Sequence, residues 1–260
     1  MFTVLSPAKR LHEGPAIADL PHTTPDWLDE SATLIDRLHT LSEEDLTGLM
    51  SISPTLASLN KQRYADWSST SDAQTSRQAA LTFAGDTYVG LDASSLDGED
   101  LEYAQRCLGI LSGLHGLLRP LDLVQPYRLE MGTKLPNGRG KNLYEFWGNR
   151  IGDRVSSNLA DHPHKVVINL ASNEYFKAMG GKSFQHRIVT PIFKEVKAGK
   201  AKVVSFVAKR ARGTMARHIV RHRIEDPEAL KAFQGMGYQY QPEQSTDNDW
   251  VFTRPSGTQA

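Results

Sequence analysis

Apolar runs and amphipathic stretches alternate along the chain, and most begin or end at a recognisable signal. Phe2-Thr3-Val4-Leu5 is an apolar run of strand length. It closes on Ser6-Pro7, a pair that suits a helix cap and first helical position. Residues 10–23 have no period and read as loop. From Thr24-Pro25 to Leu41, Leu28, Ile35, Leu38 and Leu41 share one helical face. Ser42, followed by Glu43, Glu44 and Asp45, caps a second helix, because acids favour the first turn. Ser53-Pro54 opens a third, through Leu56 and Leu59 towards Trp67. A Ser/Thr-rich loop at 68–78 enters a short helix near 73–80, and 82–91 reads as a short strand or turn. Asp97 caps a helix on which Leu101, Ala104, Leu108 and Leu111 keep helical spacing.

In the second half, 141–160 reads as one helix, with Leu143, Trp147, Ile151, Val155 and Leu159 a turn apart. His164 to Leu170 is a continuous apolar run, the pattern of a buried strand. Ser172 can cap a short helix after it, whose free N–H groups suit an anion. Arg187–Lys194 and Lys202–Ala208 flank a Gly-containing turn and read as a β-hairpin. A helix from about Thr214 to Arg223 and a last strand at Trp250–Thr253 follow. With no internal repeat and no compositional break, residues 1–260 read as one mixed α/β (α+β) domain, a mixed sheet with peripheral helices.

The stretch from Cys107 to Trp147 departs from this alternation. Gly109, Gly113 and Gly116 sit among leucines and mark positions needing positive φ or close backbone approach. Arg119-Pro120-Leu121-Asp122, Pro126-Tyr127-Arg128, Glu130 and Lys134 follow, closed by Tyr144, Phe146 and Trp147. A core needs fewer charges than this, and a surface fewer leucines and aromatics. The plainer reading is a buried loop whose charges pair with one another, as buried ions must.

Composition narrows the class. The 260 residues are 39% hydrophobic and 23% charged, ordinary for a soluble globular chain able to bury a substantial core. No run of about 18 apolar residues suggests a membrane span, and the first apolar segment is too short for a signal peptide. The single Cys107 excludes an internal disulfide, so the expected location is cytoplasmic. The net charge of zero conceals an asymmetry: residues 1–100 carry 6 Lys and Arg against 16 Asp and Glu, whereas 182–223 carry 12 against one. A basic segment of this kind suggests an anionic partner. Alternatively, the acidic part packs beside it.

Three predicted strands end in polar or basic turns: Lys9; Asn169, Ser172 and Glu174; Lys209, Arg210 and Arg212. With the central stretch they can form one electropositive cleft of Lys9, Arg119, Arg128, Lys134, Lys177, Lys209 and Arg212, suited to phosphate. Tyr127, Tyr144, Trp147 and Tyr175 can stack on bases or pack inside, and Phe146 and Trp147 are assigned to the core. Arg217, Arg221 and Arg223 flank His218 and His222, whose spacing can bind a metal. No third ligand accompanies the histidines and arginines repel a cation, so they read as a basic face, with no metal or cofactor. Glu130 and Glu174 lie among cations, which makes them poor general acids but candidate bases. Ser6, Ser112 and Ser172 lack the hydrolase G-x-S-x-G context. Neither a dinucleotide nor a P-loop glycine motif occurs. Whether the chain is an enzyme stays open.

Ser-Pro-Ala-Lys at 6–9, LSGLHGLLRPLDLVQPYRLEMGTKL at 111–135, GKNLYEFW at 140–147, NLASNEYFK at 169–177 and KRARGTMAR at 209–217 together resemble the YaaA family of bacterial peroxide-stress proteins. The resemblance covers nearly the whole chain. It implies a role in surviving hydrogen peroxide by limiting intracellular iron that would damage DNA. It also implies binding of DNA, double-stranded, by a monomer, through a positive cleft and a helix-hairpin-helix-like element. That element maps to the helix from Asp97 and the turn Ser112–Gly116, which adds Gly113 and Gly116 to the phosphate-contacting candidates. One cysteine and scattered histidines suggest no dedicated iron site, so the implied iron effect is indirect. The leading expectation is therefore a DNA-binding stress protein. The alternative is an enzyme acting on a phosphorylated or nucleotide-like small molecule in the same cleft, and the width of the cleft separates the two.

Overall fold

Strand β1 (Phe2–Leu5) has all four residues buried, so the chain begins inside its own sheet. The structure is a computed structural model describing residues 1–70, 72–180 and 183–258. Ser71 of the Ser/Thr-rich loop and Lys182 of the basic stretch lie outside the described residues. No helix follows Ser6-Pro7. The Ser6 hydroxyl instead accepts the Ser172 N–H at 2.8 Å, a long-range tie in place of a local cap.

Three helices come next: α1 (Leu28–His39), α2 (Glu43–Met50) and α3 (Pro54–Asp66). The first starts later than Thr24-Pro25 and buries Leu34, Ile35 and Leu38. Ser42 and Asp45 form a reciprocal capping box on α2, and Ser53 caps α3 ahead of Pro54. Short elements follow: β2 (Arg77–Gln78), α4 (Ala79–Thr82) and α5 (Asp86–Leu91). Residues 86–91 are thus helical rather than a strand, with Asp86 in the first turn and Tyr88, Gly90 and Leu91 buried.

α6 (Gly98–Cys107) stops before the glycine-rich stretch, and Leu108–Ser112 becomes β3. Periodicity suggested more helix. Every residue of β3 is buried, however, and a short apolar run hidden on both faces fits a strand between two others. β3 turns back into β4 (Gly116–Leu118), so residues 97–116 form a helix and a β-hairpin, not two helices joined by a hairpin. After β5 (Leu123–Val124), the predicted helix 141–160 is broken at Gly148, where φ is +53°. The pieces are α7 (Leu143–Trp147) and α8 (Arg150–Leu159).

β6 (Val166–Asn169), α9 (Asn173–Phe176), β7 (Arg187–Lys197) and β8 (Lys200–Lys202) follow. The β7–β8 hairpin forms, but its second strand ends at Lys202. Ser205–Ala208 already belong to α10 (Ser205–Arg221), which absorbs the whole Lys209–Gly213 segment. β9 (Gln239–Tyr240) and β10 (Asp249–Pro255) finish the sheet.

The eight-stranded sheet has the order β4-β3-β1-β6-β7-β10-β9, with β8 beside β7. Strands β3, β1, β6, β7 and β10 are parallel to one another, and β4, β8 and β9 are antiparallel additions. The architecture is the expected mixed α/β fold, built on one continuous hydrophobic core. One packing contact has particular bearing on function. A Cβ on Gly90 of α5 would lie 2.1 Å from the Arg210 carbonyl oxygen, and one on Gly213 of α10 would lie 1.7 Å from that of Thr87. The two helices therefore cross backbone against backbone, and only glycine fits at either position.

Candidate functional site

Past the C-terminal ends of β1 and β6 lies a cavity of about 600 Å³, the position where parallel sheets commonly hold ligands. Ser6–Lys9 and Ser172–Tyr175 contribute from the strand ends, Gly85–Tyr88 from the start of α5, Tyr127–Glu130 from the central stretch, and Lys209 and Arg212 from α10. The glycine crossing of α5 and α10 brings two of these walls together.

Glu130 is clamped between two cations. Its Oε1 lies 3.0 Å from Lys9 Nζ and 3.1 Å from an Arg128 guanidinium nitrogen. The Arg128 carbonyl accepts from the Tyr64 hydroxyl of α3, and its Nε is buried without a partner. Glu174 Oε1 accepts the Gly132 N–H at 2.8 Å, which pins the Glu130–Thr133 turn to α9. Arg212 is half-buried and, among the described residues, has neither an ion pair nor a hydrogen bond. Burial lowers the basicity of its guanidinium.

The aromatic part of the wall is rigid. Tyr88 donates to the Ser6 carbonyl at 3.0 Å, and the Tyr127 and Ser112 hydroxyls are 2.7 Å apart. Burial pushes the Tyr88, Tyr127 and Tyr175 hydroxyls above their ordinary range, so they stay neutral. Behind Tyr127, the His115 ring packs edge-on at 5.2 Å with Nδ1 2.8 Å from the Ser31 hydroxyl. Complete burial pushes its pKa down to about 3, so His115 is a neutral packing residue behind the wall.

Six of the charged residues singled out from sequence thus meet in the cavity, Lys9, Arg128, Glu130, Glu174, Lys209 and Arg212, together with Tyr127, Tyr175, Ser6 and Ser172. Others lie elsewhere. Arg119 turns to Asp122 at 2.9 Å and to the Thr24 carbonyl at 2.8 Å. There the plainer reading of a self-paired loop holds. Lys134 and Lys177 are exposed outside the cavity, with Lys177 Nζ 4.8 Å above the Tyr144 ring. Arg210 is exposed on α10, and Arg217 is spent on the Leu91 and Asp92 carbonyls at 3.1 and 2.8 Å. Gly113 and Gly116 are buried and are not among the residues that line the cavity. A Cβ at Gly113 would meet the Leu129 carbonyl oxygen at 2.3 Å, and Gly116, at φ +68°, packs under Trp27 and Trp147. Gly113 seats the segment that carries Arg128 and Glu130. Phe146 and Trp147 are core residues, as expected.

The basic stretch divides in two. Arg221 and Arg223 pair with the buried Asp100 at 3.0 and 2.6 Å, Arg187 approaches Glu228 at 3.8 Å and Arg217 approaches Asp92 at 3.7 Å. Burial opposes ionisation of Asp100, but the two guanidiniums prevail and hold its carboxyl below the usual range. Lys194, Lys197, Lys200, Lys202, Lys209 and Arg210 form no ion pair among the described residues, and they follow one another along β7, β8 and the first turns of α10.

Comparison with known proteins gives the family of the chain. The family model for peroxide stress protein YaaA matches residues 1–244. The chain belongs to the YaaA family. A UPF0246 protein of Burkholderia mallei (strain SAVP1) is 52% identical over 260 residues, spanning 99% of this chain and 100% of the relative. A UPF0246 protein of Ralstonia pickettii (strain 12J) is 52% identical over 254 residues, covering 98% and 99%.

Within this YaaA-family chain, sequence reasoning missed the wall from α5. Asp86 and Tyr88 line the cavity, but the segment read as strand or turn. The usable signal was Gly85-Asp86, an acid in the first turn behind a permissive cap. Among the described residues no group of three or more His, Cys, Asp or Glu is placed to hold a metal. No described helix is long and apolar enough to cross a membrane.

Proposed function

We propose that this chain serves peroxide defence by binding double-stranded DNA, as a monomer in the cytoplasm, and so limits the damage that iron and peroxide inflict on DNA. The observation that carries this reading is the run of cations that form no ion pair among the described residues, Lys194, Lys197, Lys200, Lys202, Lys209 and Arg210. Clustered unpaired cations meet phosphates by releasing counterions, which needs no base-specific geometry. A cavity of about 600 Å³ does not admit a duplex, whose major groove alone is about 12 Å wide. The duplex therefore lies across the lysine face, beside the cavity mouth.

β8 is also an edge strand, where lysines discourage strand addition, so the test must separate the two roles. In Lys200→Ala/Lys202→Ala/Arg210→Ala, duplex affinity is expected to fall and the slope of log affinity against log salt to flatten by about one unit per lost contact. The thermal melt should stay at the wild-type value. Unchanged affinity and slope in a folded variant would assign the lysines to edge protection and remove the DNA reading.

A further inference from the structure

Arg212 presents an electrostatic demand that the protein does not meet by itself. Its guanidinium lines the cavity, half-buried, with no ion pair or hydrogen bond among the described residues. A charge withdrawn from water is costly without a partner. Lys209, three residues earlier and so on the same helical face, also lines the cavity and has no side-chain partner among the described residues. Arg128 adds a buried Nε that nothing accepts from. An anion is the missing counterpart.

The rest of the wall specifies more than an anion. Phe83, Tyr88, Tyr127 and Tyr175 line the cavity, and tethered hydroxyls on Tyr88 and Tyr127 fix those rings. Such rings suit a flat base, which stacks whatever its sequence identity. Glu130, clamped by Lys9 and Arg128, offers carboxylate acceptors to N–H or O–H donors. A carboxylate takes this part towards ribose hydroxyls in other nucleotide sites, whereas beside phosphate alone it would only repel. A volume of about 600 Å³ falls within the range of about 300–1,000 Å³ for small-ligand sites.

We propose that the cavity binds one mononucleotide unit: phosphate on Arg212 and Lys209, base on the aromatic wall, and a base or sugar donor on Glu130. Two sources share this chemistry, a free nucleoside monophosphate and a nucleotide unstacked from a strand. The inference goes beyond duplex binding and does not rest on it, because Lys200, Lys202 and Arg210 do not line the cavity.

Calorimetric titration tests it on the full chain, with the four nucleoside monophosphates, inorganic phosphate, a fully paired duplex and the same duplex with one unpaired base. At least one nucleotide is expected to bind more tightly than phosphate, or the bulged duplex more tightly than the paired one. That gain should drop by about tenfold or more in Arg212→Ala, as expected for a lost charged contact. It should persist in part in Arg212→Lys and fully in Lys200→Ala/Lys202→Ala. A gain with free nucleotides identifies a soluble ligand, and a gain confined to the bulge identifies a strand-borne one. Should Arg212→Ala not fold, amine acetylation of the wild type read by mass spectrometry decides: a nucleoside monophosphate should shield Lys209 and not Lys200, or the bulged duplex should shield Lys209 more than the paired duplex does while shielding Lys200 equally. Nucleotides binding no better than phosphate, the bulge no better than the paired duplex, and Lys209 unshielded would overturn the proposal. Loss of duplex affinity in Lys200→Ala/Lys202→Ala with nucleotide binding intact would show the two sites to be separate.

Discussion

The cavity and the β7–β8 lysine face are both basic, but their cations keep different company. In the cavity Lys9 and Arg128 share Glu130, Tyr127 and Tyr175 stand beside them, and Asp86 and Glu174 complete the lining. On the face, Lys197, Lys200 and Lys202 are exposed to solvent and form no ion pair among the described residues. A site with both signs of charge and flat apolar walls reads shape and donor pattern. A site of cations alone reads charge density. Basic content in a sequence therefore does not reveal which kind of recognition is present, because the deciding partners arrive from distant parts of the chain.

The comparison breaks most severely at the helix crossing. Gly213→Val drives a branched side chain into the Thr87 carbonyl, since even a Cβ there would sit 1.7 Å away. A loss of about 4 kcal/mol or more is expected, read as a large fall in melting temperature. Below that temperature, cavity binding should vanish before the lysine face loses DNA. A wild-type melt would show that the two helices can move apart freely.

Acid offers a smaller, graded separation. His115 has a folded pKa of about 3 against about 6.5 in an unfolded chain. As pH falls from 6.5 towards 3, the unfolded state takes up a proton that the folded state refuses, so stability declines through that window. This one group contributes a slope of at most about 1.4 kcal/mol per pH unit. Denaturant melts at pH 7 and pH 5 check this: His115→Gln should show a shallower pH dependence than wild type, and equal slopes would rule out this origin.

The finest test is Glu130→Gln. With a carboxylate removed near the mouth, duplex affinity should stay equal or rise slightly, by less than about 0.5 kcal/mol, as for an exposed charge. Protection of cells from peroxide should nevertheless fall if the cavity contributes to it. Full protection at normal expression would leave Glu130 as a mere partner of Arg128 and Lys9.

Much of this was legible in the sequence where the signal is local. The caps at Ser42 and Ser53 and the buried strands at Phe2–Leu5 and Val166–Asn169 are set by neighbouring residues. Leu108–Ser112 was misread because a leucine-rich run satisfies helical spacing and strand burial alike. Ser205–Ala208 was misread because Lys-Val-Val-Ser-Phe-Val has strand propensity, and a tertiary contact, the crossing at Gly213, overrides it. The site divides in the same way. Lys9 and Arg212 were found as charges at predicted strand ends, and Glu130 as an acid among cations in the central stretch. Arg119 pairs with Asp122 three residues on, as the plainer reading of that loop had it, whereas Arg217 meets Asp92, 125 residues earlier, only in three dimensions.

The crossing of α5 and α10 also sets the timing of whatever enters the cavity. Two of its walls are spaced by main chain touching main chain, so no rotamer change can widen or narrow the mouth on that side. Moving one wall means lifting a whole helix off the core. Arrival is then governed by encounter and departure by the strength of the contacts inside, with no gate between them. A vessel of this kind follows the surrounding concentration with a lag set only by how tightly its contents are held.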